Sequence, residues 1–501
     1  MNASIGLAQS DRKVILRFAE PTIGALKNLV FRRYPNAEWA TFARFGWRET
    51  DDSLVITLAA LDPPSGHDLN NEVDHVSFDE SYTLRIALHA EQHDLAVGVV
   101  HSHPEDILPR PSLIDDDMDG YFSQYFSDFA PDRPYVSLIF SLVEGQLTVS
   151  GRVYWRGDWI SVSRVAAERA GIRCWAPNPK LSPPKLDRNR VSRLTSAFGI
   201  DAYKNLRSAW VSIVGAGGTG SAAIEVLARA GIGRLTIVDP DVITQSNLER
   251  VHGSEESHAA NCVPKVIVAR DMVHGIDSSI QVDAIQGRLP QSEVVDKLVN
   301  STIALGCTDQ QHSRLALSDI AFRYLVPSID CGALLEGANG QVTGQIAQLV
   351  RFFADDPCVL CREMADPQRL AQELMSPEER KARINAAQRA QVSGENPDQY
   401  WRQERQLNTV GYLTTAIGSI LAGYAIGLLT GRFEPPFKRL QMNLAAPLLD
   451  VTDNPQTKRV SCPCSAFAGW ADQALADALI NAPNHWGPAI DHSSQGDSSK
   501  A

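Results

Sequence analysis

Residues 215–241 read GAGGTGSAAIEVLARAGIGRLTIVDPD, and this stretch decides how the chain folds. The apolar run at 210–214 predicts a buried strand, Gly215, Gly217 and Gly220 predict a tight turn, and 221–230 has helical spacing. A second strand is expected at 235–238, ending in Asp239. Glycine lets the backbone approach a phosphate, a helix N-terminus offers it unpaired N–H groups, and a carboxylate after the second strand can accept from a ribose hydroxyl. The stretch predicts a nucleotide cradle, but such a turn also serves dehydrogenases and flavoproteins.

The residues beyond it separate these readings. Segment 239–251, DPDVITQSNLERV, places Asp241, Asn247 and Arg250 where a dinucleotide fold would turn into its next helix. An arginine beside the phosphates suits a triphosphate better than nicotinamide. Lys265 opens a helical segment, VPKVIVARDMV, that can reach the same phosphates. A strand at 302–305 then runs into GCTDQQHSR, setting Asp309 at a strand terminus where a carboxylate can hold magnesium. An NAD-binding Rossmann domain is the competing reading, and it leaves Arg250, Lys265 and Asp309 without a role.

Bulk composition sets the frame. A chain of 501 residues is too long for one ordinary core, and 44% hydrophobic with 21% charged residues is globular. The net charge of -12 and the lack of any dense basic run argue against nucleic-acid binding. Residues 1–20 lack a basic start with an apolar core, so the chain is expected in the cytoplasm. Segment 413–430 is apolar but rich in Gly, Ala and Thr, and reads as a buried helix, with no membrane partner. Of eight cysteines, Cys358 and Cys361 form CxxC and Cys462 and Cys464 form CxC, which look like halves of one metal site. Reduced core cysteines are the alternative. Segment 362–406 reads as a charged helical insertion, with a docking surface as the functional alternative.

The nucleotide constellation resembles the ThiF-type adenylyltransferases, the family of ubiquitin-like-protein activating enzymes, over about 191–470. The resemblance implies that Asp239 binds ribose, that Asn247, Arg250 and Lys265 bind the triphosphate of ATP, and that Asp309, with Arg314 downstream, organises Mg2+. Segment 190–199, RVSRLTSAFG, is similar to the one that carries an arginine, here Arg193, into a partner subunit's ATP site, which implies a homodimer. The cysteine pairs match the family's structural zinc, although the second pair is one residue shorter than usual. Thioester-forming members commonly have a cysteine just before the next helix. Here RQLNTVGYLTTAIG (405–418) has Leu407, Asn408 and Thr409 there, and Cys307 and Cys331 read as packing residues at strand ends. The chain is thus expected to stop at the adenylate or to pass the acyl group to a partner.

Upstream, segment 97–117 reads VGVVHSHPEDILPRPSLIDDD. His101 and His103, two apart at a strand end, point to one side, and Asp115 can return across the loop as a third ligand. Two histidines and a carboxylate leave a fourth position for water, the open arrangement of a catalytic zinc. HSHP followed by SLID resembles the JAB/MPN metallopeptidases with the JAMM signature, which cleave ubiquitin-like proteins from their targets. That resemblance implies Glu38 as general base, with Glu20 and Glu49 as rivals, and Ser112 as an oxyanion stabiliser. The interval from His103 to the aspartate is one residue longer than the family's, and Asp115–Asp117 leave the ligand open apart from the SxxD spacing. A domain that has lost its metal and only binds is the other reading.

Together these expectations describe an α/β chain. A mixed α+β JAB/MPN domain (1–175), with a helix at 20–34 and strands at 39–45, 54–60, 95–101 and 136–142, is followed by a proline-rich linker (176–190). A Rossmann-like, mostly parallel-sheet ThiF-type domain (191–475) and a partly disordered tail (476–501) complete it. The function expected is bifunctional: adenylation of a ubiquitin-like protein's C-terminus and zinc-dependent processing of the same modifier, with a separate conjugating enzyme as possible partner. Sulfur-carrier activation in cofactor biosynthesis, and a binding module with a silent site, are the alternatives.

Overall fold

A computed structural model describes residues 12–31, 38–71, 76–104, 107–167, 173–174, 190–338, 340–402, 409–445, 450–453 and 456–493. The expected linker, apart from Arg190, and Leu407 and Asn408 lie outside these residues.

The amino-terminal half holds β1 (Lys13–Phe18), α1 (Glu20–Val30), β2 (Ala40–Glu49), β3 (Ser53–Asp62), β4 (Leu69–Asn71) and β5 (Val76–Phe78). It continues through α2 (Glu80–His93), β6 (Ala96–Ser102), α3 (Leu113–Phe129), β7 (Tyr135–Val143), β8 (Gln146–Trp155), β9 (Asp158–Ala167) and β10 (Arg173–Cys174). The strands run β8-β7-β6-β2-β3-β1-β9, and β9 pairs back onto β8, closing a seven-stranded barrel. The mixed α+β expectation did not include this closure. It rests on β1 lying parallel to both β3 and β9, pairings with no local hairpin to announce them. Alternation divides β6: Ala96 and Val100 face the barrel core with Ile23, Leu26 and Val30 of α1, while Val97 and Val99 face α2 and α3. His101 shares the parity of the helix-covered face.

The second half begins with α4 (Ser192–Phe198), α5 (Ile200–Ser208), β11 (Trp210–Val214), α6 (Gly218–Ala230), β12 (Arg234–Val238), α7 (Glu256–Ala260) and α8 (Lys265–Ile276). Then follow β13 (Gln281–Gln286), α9 (Ser292–Asn300), β14 (Ile303–Gly306), α10 (Gln311–Arg323), β15 (Ser328–Ala338) and β16 (Gln341–Phe352). The last elements are α11 (Pro367–Leu374), α12 (Pro377–Ser393), α13 (Gly411–Thr430), β17 (Arg439–Asn443), β18 (Asp450–Asp453), α14 (Pro463–Ala466) and β19 (Ile490–Asp491).

The sheet runs β18-β17-β16-β15-β14-β11-β12-β13-β19. Its centre, β13-β12-β11-β14-β15, is parallel, and strand order reverses between β11 and β14, where such sheets bind ligands. The sheet is less parallel than expected, because β16, β17, β18 and β19 all add antiparallel. Within the segment expected as a tail, Ile490 and Asp491 pair with β13, and Gln291 Nε2 donates to Gly487 O at 2.7 Å, while 494–501 lie outside the described residues.

Helix α13 is the buried helix expected at 413–430. It is long and apolar enough to cross a membrane, but Gly418 brings it against the Thr219 carbonyl of α6, and Leu421, Ala422 and Ala425 are fully buried. The charged insertion is two helices, α11 and α12, each opened by a proline and a side-chain cap.

Barrel and sheet are joined by polar contacts. The buried Arg17 guanidinium donates to the carbonyls of Val299 and Leu325, and so takes up a carbonyl at the C-terminal end of α9. Ser53 Oγ donates to Asn300 Oδ1 at 2.6 Å, Thr57 Oγ1 donates to Gly469 O at 2.6 Å, and Arg48 bridges Asp296 and Asp472.

Candidate functional site

The glycine turn joins β11 to α6 at the switch point. Gly215 has φ +101°, and a Cβ there would meet Cys307 O at 2.6 Å. A Cβ on Gly220 would lie 1.8 Å from Gly215 O, so these two glycines allow backbone to touch backbone. Gly217, at the N-cap of α6, has nothing within 4 Å of its Cβ position. The sequence thus keeps the floor closed and leaves the approach to the helix N-terminus open, which fits a phosphate group.

Asp239 ends β12 and holds the turn. Its Oδ2 accepts from Ala216 N at 2.7 Å and its Oδ1 accepts from Asp241 N at 2.9 Å. Lys265 opens α8 and reaches back, with Nζ 2.9 Å from Asp241 Oδ2 and 3.7 Å from Asp239 Oδ1. Burial pushes the Asp239 pKa up, and Lys265 offsets this only in part. Burial also works against the Lys265 cation, but the two aspartates outweigh it and hold its pKa above the ordinary lysine value. Asn247 is buried and accepts from Thr244 N at 3.1 Å, shaping the loop that carries Arg250. The Arg250 stem lies 3.2 Å from the Gly218 Cβ position, and its Nη1 donates to Ser246 O at 3.2 Å and to Glu249 Oε1 at 2.8 Å. The loop and Lys265 therefore lie beside the cradle.

Asp309 is two residues past Cys307, whose N–H donates to Val214 O at 2.8 Å beside the turn. Arg314 is turned inward, donating from Nε to Asp330 Oδ2 at 2.6 Å, and the Asp330 carboxylate holds its pKa above the ordinary arginine value. A clamp that the sequence reading missed fixes this strand end: Glu373 of α11 accepts from Gln311 N and His312 N, each at 2.9 Å, while Arg369 donates to Asp309 O at 2.8 Å. The acidic and basic positions at spacing four in α11 were its sequence signal. Arg193 is exposed on α4, and Phe198 of that helix packs on Phe433, past the far end of α13. Thr414, near the start of α13, faces Gly218 at the other end of that helix. Cys331 lies inside β15, a correction to its strand-end placement, with its Sγ 4.0 Å from that of Cys307. Thr409 stands two residues before α13.

The cysteine pairs converge. Cys358 and Cys462 sulfurs are 3.4 Å apart, Cys361 and Cys464 sulfurs 3.7 Å, and all four lie within 4.8 Å of one another, buried beside Phe322. Four sulfurs in one apolar pocket fit a structural zinc, and the short CxC spacing does not prevent convergence.

In the barrel, His101 ends β6, and His103 N donates to Phe140 O at 2.9 Å, extending the ladder one residue. Helix α3 starts at a capping box, in which Ser112 Oγ accepts from Asp115 N and Asp115 Oδ2 accepts from Ser112 N. That box delivers Asp115 to the histidines: Oδ1 lies 2.9 Å from His101 Nε2, and Oδ2 lies 3.5 Å from His103 Nε2. Asp116 pairs instead with Arg152, and both Asp116 and Asp117 are exposed, so the ambiguity of the three aspartates resolves to Asp115. All three groups are buried, and neither ring nitrogen of His101 has a well-aligned hydrogen-bond partner. An imidazole with orphaned nitrogens beside a carboxylate fits a cation ligand set. Burial disfavours a charged His101, yet Asp115 and Glu38 outweigh it and raise its pKa, the signature of a site that favours positive charge. Glu38 stands two residues before β2, whose Ala40 is in register with His101. Glu49 stands at the other end of β2, bound to Arg156, and Glu20 opens α1, so neither rival gains support. Sequence reading missed Asp119, one turn beyond Asp115, which is buried and accepts from Tyr135 Oη at 3.0 Å and Arg152 Nε at 2.7 Å.

Comparisons with known proteins concern the second half. The ThiF family profile matches residues 190–465, leaving the barrel outside it. The adenylyltransferase and sulfurtransferase UBA4 of Yarrowia lipolytica is 34% identical over 169 residues, 34% of this chain and 40% of that protein. The SAMP-activating enzyme E1 of Haloferax volcanii is 31% identical over 36% of this chain and 63% of its own length. The molybdopterin-synthase adenylyltransferase of Salmonella typhimurium is 30% identical over 36% of this chain and 70% of its own length. The chain thus spans about 40% and 63% of the first two relatives. With its glycine turn, partnered cations and parallel switch point in place, and a profile match across more than half its length, the chain belongs to the ThiF family.

Proposed function

We propose that the chain activates the C-terminal carboxylate of a ubiquitin-like or sulfur-carrier protein as an acyl adenylate, using ATP and Mg2+. The carboxylate attacks the α-phosphate of ATP, the bond between the α- and β-phosphates breaks, and pyrophosphate leaves. The observation that carries this reading is the gathering of Lys265, Arg250 and the Asp309 strand end around the glycine turn. Arg250 and Lys265 would spread the charge that develops on the phosphates, Asp309 would hold magnesium, and Asp239 keeps the turn shaped and would accept from a ribose hydroxyl. The names of the Haloferax and Salmonella relatives support the substrate class. Arg193, exposed on α4, would reach the partner subunit's site in a homodimer.

The barrel, residues 1–175 in this division, acts as a zinc peptidase of the JAB/MPN kind on the same modifier. His101, His103 and Asp115 would hold the ion, which supplies Lewis-acid activation of water when bound. Glu38 takes the proton and Ser112 donates to the oxyanion. Such trimming exposes the carboxylate that the cradle activates. Residues 191–475 form the adenylating unit, stapled by zinc at Cys358, Cys361, Cys462 and Cys464.

Pyrophosphate exchange into ATP, measured with purified ubiquitin-like and sulfur-carrier proteins, tests the first half. Exchange that depends on one of them supports it, and binding of NAD without ATP turnover contradicts it. Metal analysis tests the second: zinc at about two per chain, falling to about one in His103→Ala, is expected. Sulfur-carrier activation in cofactor biosynthesis is the second reading, favoured by the Salmonella relative's name, and a small thiocarboxylate product would select it.

A further inference from the structure

Beside the cradle lies a group of side chains that adenylation does not use. His252, two residues past Arg250, has Nδ1 2.7 Å from Glu225 Oε2 on α6 and Nε2 2.9 Å from Thr415 Oγ1 on α13. The His252 N–H donates to Ser221 Oγ at 3.0 Å, which fixes the backbone beneath the ring. Glu225 can only accept when ionised, so the neutral imidazole carries its proton on Nδ1 and turns its Nε2 lone pair to the Thr415 hydroxyl. Arg229 donates twice to Glu225 Oε1, and the His252 and Arg229 hydrogen bonds hold the Glu225 pKa below its ordinary value. A hydroxyl, an imidazole and a carboxylate joined in this order form an activated nucleophile.

Its position matters as much as its geometry. Thr414, the preceding residue, brings Oγ1 to 2.8 Å from the Gly218 Cβ position, so Thr415 begins the second turn of a helix that touches the cradle. All three side chains are partly exposed. Among the cysteines whose burial is described, Cys262 is the exposed one, and its sulfur lies 4.0 Å from the Ala259 carbonyl. The residue before α13 is Val410, and Thr409 stands ahead of it, so no thiol occupies the described helix entry.

We propose that Thr415 is an acyl acceptor on this protein, taking the acyl group from the adenylate as an oxygen ester with His252 as general base and Glu225 as its positioning residue. The proposal rests on the adenylation reading. Thr415 Oγ1 attacks the carbonyl carbon, a C–O ester bond forms, the bond from that carbon to the phosphate oxygen breaks, and AMP leaves with the electron pair. The hydroxyl proton passes to His252 Nε2. The ester then hands the acyl group to a partner's amine or thiol.

The test uses the full chain, ATP, Mg2+ and a sulfur-carrier or ubiquitin-like protein that supports pyrophosphate exchange, with intact-mass and peptide mapping of the products. The expected result is a carrier adduct on the Thr415 peptide that survives thiol treatment and is released by alkaline hydroxylamine. Thr415→Val loses it, Thr415→Ser keeps it, and Thr415→Cys converts it to a thiol-labile adduct, a change that misfolding cannot produce. Exchange without an adduct in the wild type overturns this proposal alone. So does an adduct that Thr415→Val retains or that maps to Cys262. Absence of exchange in the wild type overturns the adenylation reading and this proposal with it.

Discussion

The nucleotide cradle and the histidine cluster are built from opposite materials. The cradle is backbone: a turn closed by glycines, an open helix N-terminus, and charged side chains that satisfy one another as Asp239, Asp241 and Lys265. The cluster is side chain: three buried groups delivered by a strand end and a helix start, one of them an imidazole with orphaned nitrogens. A backbone site fails when a Cβ is added, whereas a side-chain site fails when a ligand is removed. The difference also predicts which site can be read from local sequence.

Gly220→Ala is the sharpest way to break the comparison on the cradle side. Its Cβ would sit 1.8 Å from a carbonyl oxygen, which no rotamer change relieves. A loss of about 3 kcal/mol or more in stability is expected, measured by urea unfolding, together with loss of ATP binding. A variant that unfolds like wild type would refute the close contact.

Lys265→Ala should leave the fold in place while lowering pyrophosphate exchange by roughly 100-fold to 1,000-fold, the range for loss of one charge-stabilising group. If exchange is retained, Lys265 serves only to neutralise Asp239 and Asp241.

On the cluster side, Asp115→Asn should lower zinc content by about one equivalent, since a neutral amide is a far weaker ligand, while Asp116→Asn should not. Metal analysis of both variants separates the partner of the histidines from the partner of Arg152. Equal loss in both would undo the assignment of Asp115.

Ser112→Ala removes an N-cap and is expected to cost about 1 kcal/mol in thermal or denaturant unfolding. If peptidase activity falls further than zinc content does, the hydroxyl also acts on substrate rather than only placing Asp115.

Legibility follows the same division. In the sheet domain the glycine turn and Asp239 directly follow the strands Trp210–Val214 and Arg234–Val238, so they and the Lys265 helix start could be read from periodicity and glycines. The antiparallel strands β16 and β17 could not, because their partners are set by a hairpin and an excursion of nearly ninety residues. In the barrel, β2, β3, β6 and β7 were legible, but β1, β8, β9 and the closure were not. The pairing of β1 with β3 and β9 is parallel and nonlocal, and nothing local in Lys13–Phe18 marks it. The HSHP motif placed His101 and His103, but three adjacent aspartates differ only in helix phase, which a sequence leaves open until the Ser112 capping box fixes it. His252, Glu225 and Thr415 escaped for the same reason: residues 27 and 163 positions apart meet only through helix packing.

The central claim is activation at the α-phosphate, and ATP labelled there tests it most directly. With a cognate ubiquitin-like or sulfur-carrier protein, the account predicts α-label on the carrier as an acyl adenylate and release of unlabelled pyrophosphate. Release of the γ-phosphate as inorganic phosphate, with no label on the carrier, would contradict it.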